Sequence, residues 1–260
     1  MAKIKNMPII AANWKMYKTL AETEKFIEDF IPKVTDSQAH IYIAVPYTSI
    51  HTAALKATGS KIIIGAQNMN DASEGAFTGE VSAVMLTDAG ARFVLLGHSE
   101  RRRYFNESNQ VINLKVKQAL NNGLQPLLCI GETQEEREAS ETEDVLATQL
   151  SECLEGLDEK SLQTLIIAYE PVWAIGTGQT ATPEIAQETH LFCREYLTQH
   201  WGQELASHIP LLYGGSVKPE TAPLLLSQKD INGLLVGGAS LQAESFAEII
   251  NSVNSQPVDA

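Results

Sequence analysis

The sequence predicts an α/β fold, a single barrel of eight parallel strands and eight helical connections over residues 1–260, with a polar tail from about residue 252. Three observations predict it. Eight apolar runs of strand length recur along the chain, each followed by a segment with helical spacing. Most of the runs are apolar on both faces, as strands buried in a parallel sheet are, and lack the alternation of a half-exposed antiparallel sheet. No linker or low-complexity stretch breaks the alternation, so strand, helix, strand continues round to closure.

The runs, in order, are Pro8–Asn13, His40–Val45, Lys61–Ala66, Arg92–Gly97, Leu124–Ile130, Leu162–Glu170, Ile209–Tyr213 and Gly233–Val236. Between them, Phe26, Ile27 and Phe30, or Val111, Leu114 and Val116 ahead of Gly123, carry helical spacing and a stop signal. Sites in such a barrel form where strands end, so position along a strand filters candidates. His40 and His208 open strands and belong at the far end; His51, His190 and His200 fall in helical segments. Only His98 stands at a strand exit. The acidic run from Glu132 to Asp144 reads as the solvated face of a helix.

Composition bounds the partners. Hydrophobic residues make up 44% and charged residues 20% of the chain, enough for a large core. A formal net charge of -13 argues against nucleic acid or an anionic membrane surface, though not against a small anion held by local positive potential. No apolar run reaches the length of a membrane-spanning helix. Cys129, Cys153 and Cys193 show no paired spacing, and the first residues lack the apolar core of a signal peptide, so a reduced, cytoplasmic setting is expected.

The strand exits carry the chemistry. The sixth run ends in Glu170-Pro171, where proline stops the ladder and holds Glu170 extended. The loop beyond it is apolar, with Val172, Trp173, Ala174 and Ile175 ahead of Gly176-Thr177-Gly178, and reads as a lid over Glu170. The first run ends in Asn13-Trp14-Lys15, which puts an amide and a cation on one side of the strand. The fourth leads into Gly97-His98-Ser99-Glu100, so the imidazole should face a helix N-terminus, where positive potential disfavours imidazolium. Gly214-Gly215-Ser216 and Gly237-Gly238 follow the seventh and eighth runs, the loops that build phosphate sites in this fold. The long third loop from Gln67 to Glu80 is polar enough to suggest a job of its own. Taken singly, each feature also fits a plainer reading: a strand-end carboxylate, a surface lysine, a turn.

Taken together, they resemble one family. The eleven residues Ala168–Gly178 match the active-site signature of the triosephosphate isomerases at every position, the Asn-x-Lys strand end and the Gly-His-Ser-Glu-Arg-Arg run match as well, and the likeness extends from residue 8 to about 250. The resemblance implies a TIM barrel that interconverts dihydroxyacetone phosphate and D-glyceraldehyde 3-phosphate through an enediolate, with no cofactor and no metal. It implies Glu170 as base, His98 as a neutral electrophile, Lys15 and Asn13 beside them, and Glu100 orienting Lys15. The family is itself the standard example of a neutral histidine paired with a glutamate base, so that role is carried over from it. It further implies phosphate contacts from Gly176, Ser216, Gly237 and Gly238, a lid from Pro171 to Gly178, and a homodimer in which Thr78 approaches the partner's Asn13 and the partner's Lys15. Closure of the lid is expected to raise the Glu170 pKa by excluding water. Tyr17 and Gln179 depart from residues common in the family, and Cys129 reads as a packed thiol.

Overall fold

A computed structural model describes residues 7–174 and 181–255. Eight parallel strands form one closed barrel in sequence order: β1 Ile9–Asn13, β2 His40–Val45, β3 Ile62–Ala66, β4 Phe93–Leu96, β5 Gln125–Ile130, β6 Ile166–Tyr169, β7 Leu211–Tyr213 and β8 Gly233–Val236. The sheet closes where β8 pairs with β1, Ile9 lying opposite Gly233. Every strand is followed by at least one helix, which packs back on the sheet as a right-handed crossover requires.

Alternation along each strand divides the core in two. One set of side chains fills the barrel: Ile9 and Ala11, Tyr42 and Ala44, Phe93 and Leu95, Leu127 and Cys129, Ile166 and Ala168, with Leu212 and Leu235. The other set, including Ile10, Ile43, Val94, Leu128 and Ile167, packs outward against the helices. There Phe30 stacks on Phe246 at 5.2 Å and joins the first helix, Leu20–Val34, to the last, Ala243–Asn251. The helices start where the sequence supplies caps. Thr19 with Glu22, and Thr133 with Glu136, form capping boxes, and Ser108, Asp158 and Thr182 each accept a first-turn amide.

Three boundaries differ from the sequence reading. The sixth run begins as a short helix, Glu159–Leu162, because Asp158 caps it, and the strand starts only at Ile166. His208 closes the helix Pro183–His208 and so does not open β7. Ser252–Ser255, assigned to the polar tail, continue as a 3-10 turn, with Val253 against the core. Among the described residues no helix is long and apolar enough to cross a membrane.

Candidate active site

The strand alternation that fills the barrel also aims its C-terminal mouth. In β1 the inward series Ile9, Ala11 continues to Asn13, and in β6 the series Ile166, Ala168 continues to Glu170. Both side chains sit at the top of the packed interior, Asn13 5% and Glu170 1% exposed. In β4 the series Phe93, Leu95 continues to Gly97, which would leave His98 facing outward. Gly97 corrects this. Its φ of 73° turns the chain at the strand exit, a conformation that costs a glycine little, and His98 lines the mouth instead.

His98 is the N-cap of the helix Ser99–Phe105, and its Nδ1 accepts the Glu100 backbone N–H at 3.2 Å. An acceptor nitrogen carries no proton, so the ring proton belongs on Nε2, which lies 3.0 Å from Glu170 Oε1. Glu170 Oε2 accepts the Ser99 backbone N–H at 2.9 Å, while Oε1 is buried without an aligned hydrogen bond. Burial raises the Glu170 pKa, but His98, the Ser99 amide and Lys15 outweigh it, and the carboxyl is held below its ordinary range. Reciprocally, burial lowers the His98 pKa and the neighbouring carboxylate outweighs it, so the imidazole sits above its ordinary value. The amide at Nδ1 still opposes a second proton.

Lys15 adopts φ 50°, a left-handed conformation that two contacts hold in place. Its backbone N–H donates to Asn13 Oδ1 at 2.9 Å, and its carbonyl accepts from Gln67 Nε2 at 2.8 Å. Its ammonium reaches Glu100 Oε1 at 2.6 Å. Asn13, Lys15, His98 and Glu170 thus line one cavity of about 420 Å³. Its other walls are Gly214, Gly215 and Ser216 after β7, and Gly237 and Gly238 after β8. Backbone N–H groups on glycine-rich turns suit an anion there. The arrangement places an acceptor carboxylate, an imidazole donor and an ammonium at one end of a small cavity, with glycine-rich backbone at the other. That combination fits proton transfer at carbon next to a carbonyl in a phosphorylated substrate.

The triosephosphate isomerase family model matches residues 8–253. Among relatives named triosephosphate isomerase, that of Protochlamydia amoebophila is 55% identical over 95% of this chain and 94% of its own. Those of Solibacter usitatus and Symbiobacterium thermophilum are 49% and 51% identical, over 94% and 93% of this chain and 98% and 95% of theirs. The chain belongs to the triosephosphate isomerase family. It is an isomerase with a TIM barrel, as the signature around Glu170 implies.

In this triosephosphate isomerase fold, Pro171, Val172, Trp173 and Ala174 are described as the start of the expected lid, with Val172–Ala174 forming one 3-10 turn. Ile175, Gly176, Thr177, Gly178 and Gln179 lie outside the described residues. Thr78 is exposed in the loop that follows β3. Among the described residues no three His, Cys, Asp or Glu side chains gather as a metal ion would require. Cys129 is fully buried in the barrel interior, where burial drives its thiol pKa well up.

One sequence reading is corrected. Glu132 does not belong to a solvated acidic face; it is 0% exposed. Its Oε1 accepts from Trp173 Nε1 at 2.9 Å, Tyr169 Oη at 3.0 Å and Arg137 at 3.1 Å. A buried carboxylate with three donors is affordable where a bare one is not. Glu132 therefore fixes the turn that leaves Glu170. Arg102 was also missed: it donates to the carbonyls of Gly97 at 2.7 Å and Cys129 at 3.1 Å, tying the exits of β4 and β5 together. In the sequence Glu132 stands two residues beyond the end of β5 at the head of an acidic run, and nothing there marks it as buried.

Proposed function

We propose that Glu170, His98 and Lys15 carry out the interconversion of dihydroxyacetone phosphate and D-glyceraldehyde 3-phosphate by moving a proton between adjacent carbons. The observation that carries this assignment is the buried Glu170 carboxylate against His98 Nε2 at the closed end of a cavity whose other end is glycine backbone. The phosphate binds the main-chain amides around Ser216, Gly237 and Gly238. Held there, the triose carbons lie between the carboxylate and the imidazole.

Glu170 removes the carbon-bound proton of the ketose, leaving an enediolate, and returns it to the neighbouring carbon. His98 donates from Nε2 to the substrate oxygens and passes their protons between them, while Lys15, steadied by Glu100, faces the developing negative charge. Asn13 holds Lys15 in its left-handed conformation. At 3.0 Å, Nε2 and Oε1 leave no room for a substrate atom, so the substrate must part them. Parting removes His98, the largest of the groups that lower the Glu170 pKa, and shifts the balance toward burial, which raises it. Binding thereby makes the carboxylate a stronger base at the moment a base is needed. Val172 and Trp173, at the start of the stretch read as a lid, supply apolar cover that keeps water from the enediolate.

The enzyme acts as a cytoplasmic homodimer in this reading. A second cavity of about 300 Å³ shares Asn13, Lys15 and His98 with the first and is rimmed by Met16, Tyr47, Tyr104 and Phe105. Met16 is 93% exposed, and Tyr104 and Phe105 are 64% and 63% exposed, apolar surface of the kind that marks an interface. The loop after β3, bearing Phe77 and Thr78, is the matching projection.

A coupled assay on the purified protein tests the function: it should turn over D-glyceraldehyde 3-phosphate equally with and without chelator. Absence of turnover, or dependence on a metal, contradicts the assignment. Sedimentation should give the mass of two chains, and Met16→Glu should give one chain with reduced activity.

A further inference from the structure

The loop from Trp14 to Thr19 holds two lysines with positive φ, Lys15 at 50° and Lys18 at 74°. Side chains disfavour that region, so each lysine is held there by its surroundings. Lys15 serves the reacting end of the cavity. Lys18 points elsewhere. Its ammonium lies 5.2 Å from the Trp14 ring centroid and 4.7 Å from that of Phe26, and donates to the Leu241 carbonyl at 2.8 Å. The nearby carboxylate, Glu22, is occupied by the helix cap, accepting from Thr19 N at 2.7 Å and from its hydroxyl at 2.8 Å. The direct contacts of the ammonium are therefore a carbonyl and two rings, with Glu22 adding attraction through its charge.

Leu241 ends the 3-10 turn Gly238–Leu241, whose first residue, with Gly237, lines the catalytic cavity. The turn is stiff: the buried Ser240 bonds the Gly237 carbonyl through its hydroxyl at 2.6 Å and its amide at 2.9 Å. A bond at one end of four residues therefore constrains the other end.

We propose that Lys18 is a positioning residue for the phosphate end of the substrate: by tying Leu241 to the β1 loop it holds the Gly237 and Gly238 backbone in its aim at the dianion. This inference rests on the phosphate site assigned above. A preorganised cradle binds without spending energy on ordering itself, so loosening it costs affinity for phosphate and spares chemistry at the carbon end.

Steady-state kinetics with two substrates and inorganic phosphate as competitive inhibitor test it. Lys18→Met keeps the stem over the rings and loses the ammonium. It should raise KM for glyceraldehyde 3-phosphate and Ki for phosphate about tenfold, the scale of one charged hydrogen bond. Turnover of D-glyceraldehyde, which lacks the phosphate, should stay within about twofold. Lys18→Arg should recover most of the lost affinity. Phe26→Leu, which trims the ring contact and keeps the carbonyl bond, should leave Ki unchanged and supplies the second arm should Lys18→Met fold poorly. Unchanged Ki in Lys18→Met, equal losses on both substrates, or a raised Ki in Phe26→Leu would overturn the proposal. A native enzyme that phosphate does not inhibit saturably fails the phosphate site itself, a different result.

Discussion

At Glu170, burial and pairing act on one carboxylate in opposite senses. Burial alone would make it a better base and a poorer anion; His98, the Ser99 amide and Lys15 reverse the balance and keep it ionised in the free enzyme. Because the Glu170 pKa is depressed and the His98 pKa raised, the acid limb of kcat/KM, which reports the free enzyme, should come from protonation of His98 and lie above the ordinary carboxylate range. His98→Asn should lower kcat about a hundredfold or more with the fold intact, since it removes the donor at Nε2. The residues that line the cavity were legible because the exit of each strand is marked by a break in apolar character: Asn13 after Ala12, His98 after Gly97, Glu170 before Pro171. Glu132 was not legible, because it stands at the head of an acidic run and only its three-dimensional neighbours, Tyr169 and Trp173, reveal that it is buried.

Elements set the aim of these residues. Gly131, at the end of β5, has the Glu170 main chain pressed against it, so a Cβ there would overlap the Glu170 carbonyl oxygen. Gly131→Ala must shift the exit of β6. An error of about 1 Å in the base costs on the order of a hundredfold in rate, and relieving the overlap costs about 1–3 kcal/mol of stability. Kinetics and denaturant titration on that variant should show both losses, and an unaltered kcat would mean that β6 is not fixed by this contact. Gly97 acts differently, through its positive φ, and turns His98 into the mouth against the strand's alternation. Periodicity identified eight strands and their order. It misjudged the start of β6 because Leu162 and Leu165 are as apolar as a strand and the cap at Asp158 is a weaker signal than they are.

Across the whole molecule, one buried histidine links stability to pH. His190 lies between Tyr169 and Tyr213 with Nδ1 against the Ala186 carbonyl at 2.7 Å. Burial lowers its pKa from 6.5 to about 4, despite the raising effect of nearby carbonyls. Its folded pKa lies below the unfolded one, so its contribution is fully present above pH 6.5 and is lost as pH falls through about 4. The shift corresponds to about 3 kcal/mol. Denaturant titrations between those pH values at fixed protein concentration should show this loss in the native enzyme, and His190→Gln should lack it. Comparison with the variant isolates His190 from His98, which Glu170 pulls the opposite way. The same pH slope in both proteins would contradict the assignment. The sequence placed His190 in a helix but could not say that the helix turns it inward between two rings.

Turnover by this site depends on Glu170 acting as the base, and a single comparison tests that most directly. Glu170→Gln keeps the size and the hydrogen-bonding edge of the side chain while removing its basicity. Measured by coupled assay beside the native enzyme, with folding checked by circular dichroism, the variant should lose a factor of about a thousand or more in kcat with its spectrum unchanged. A well-folded Glu170→Gln enzyme turning over within tenfold of the native rate would contradict the mechanism.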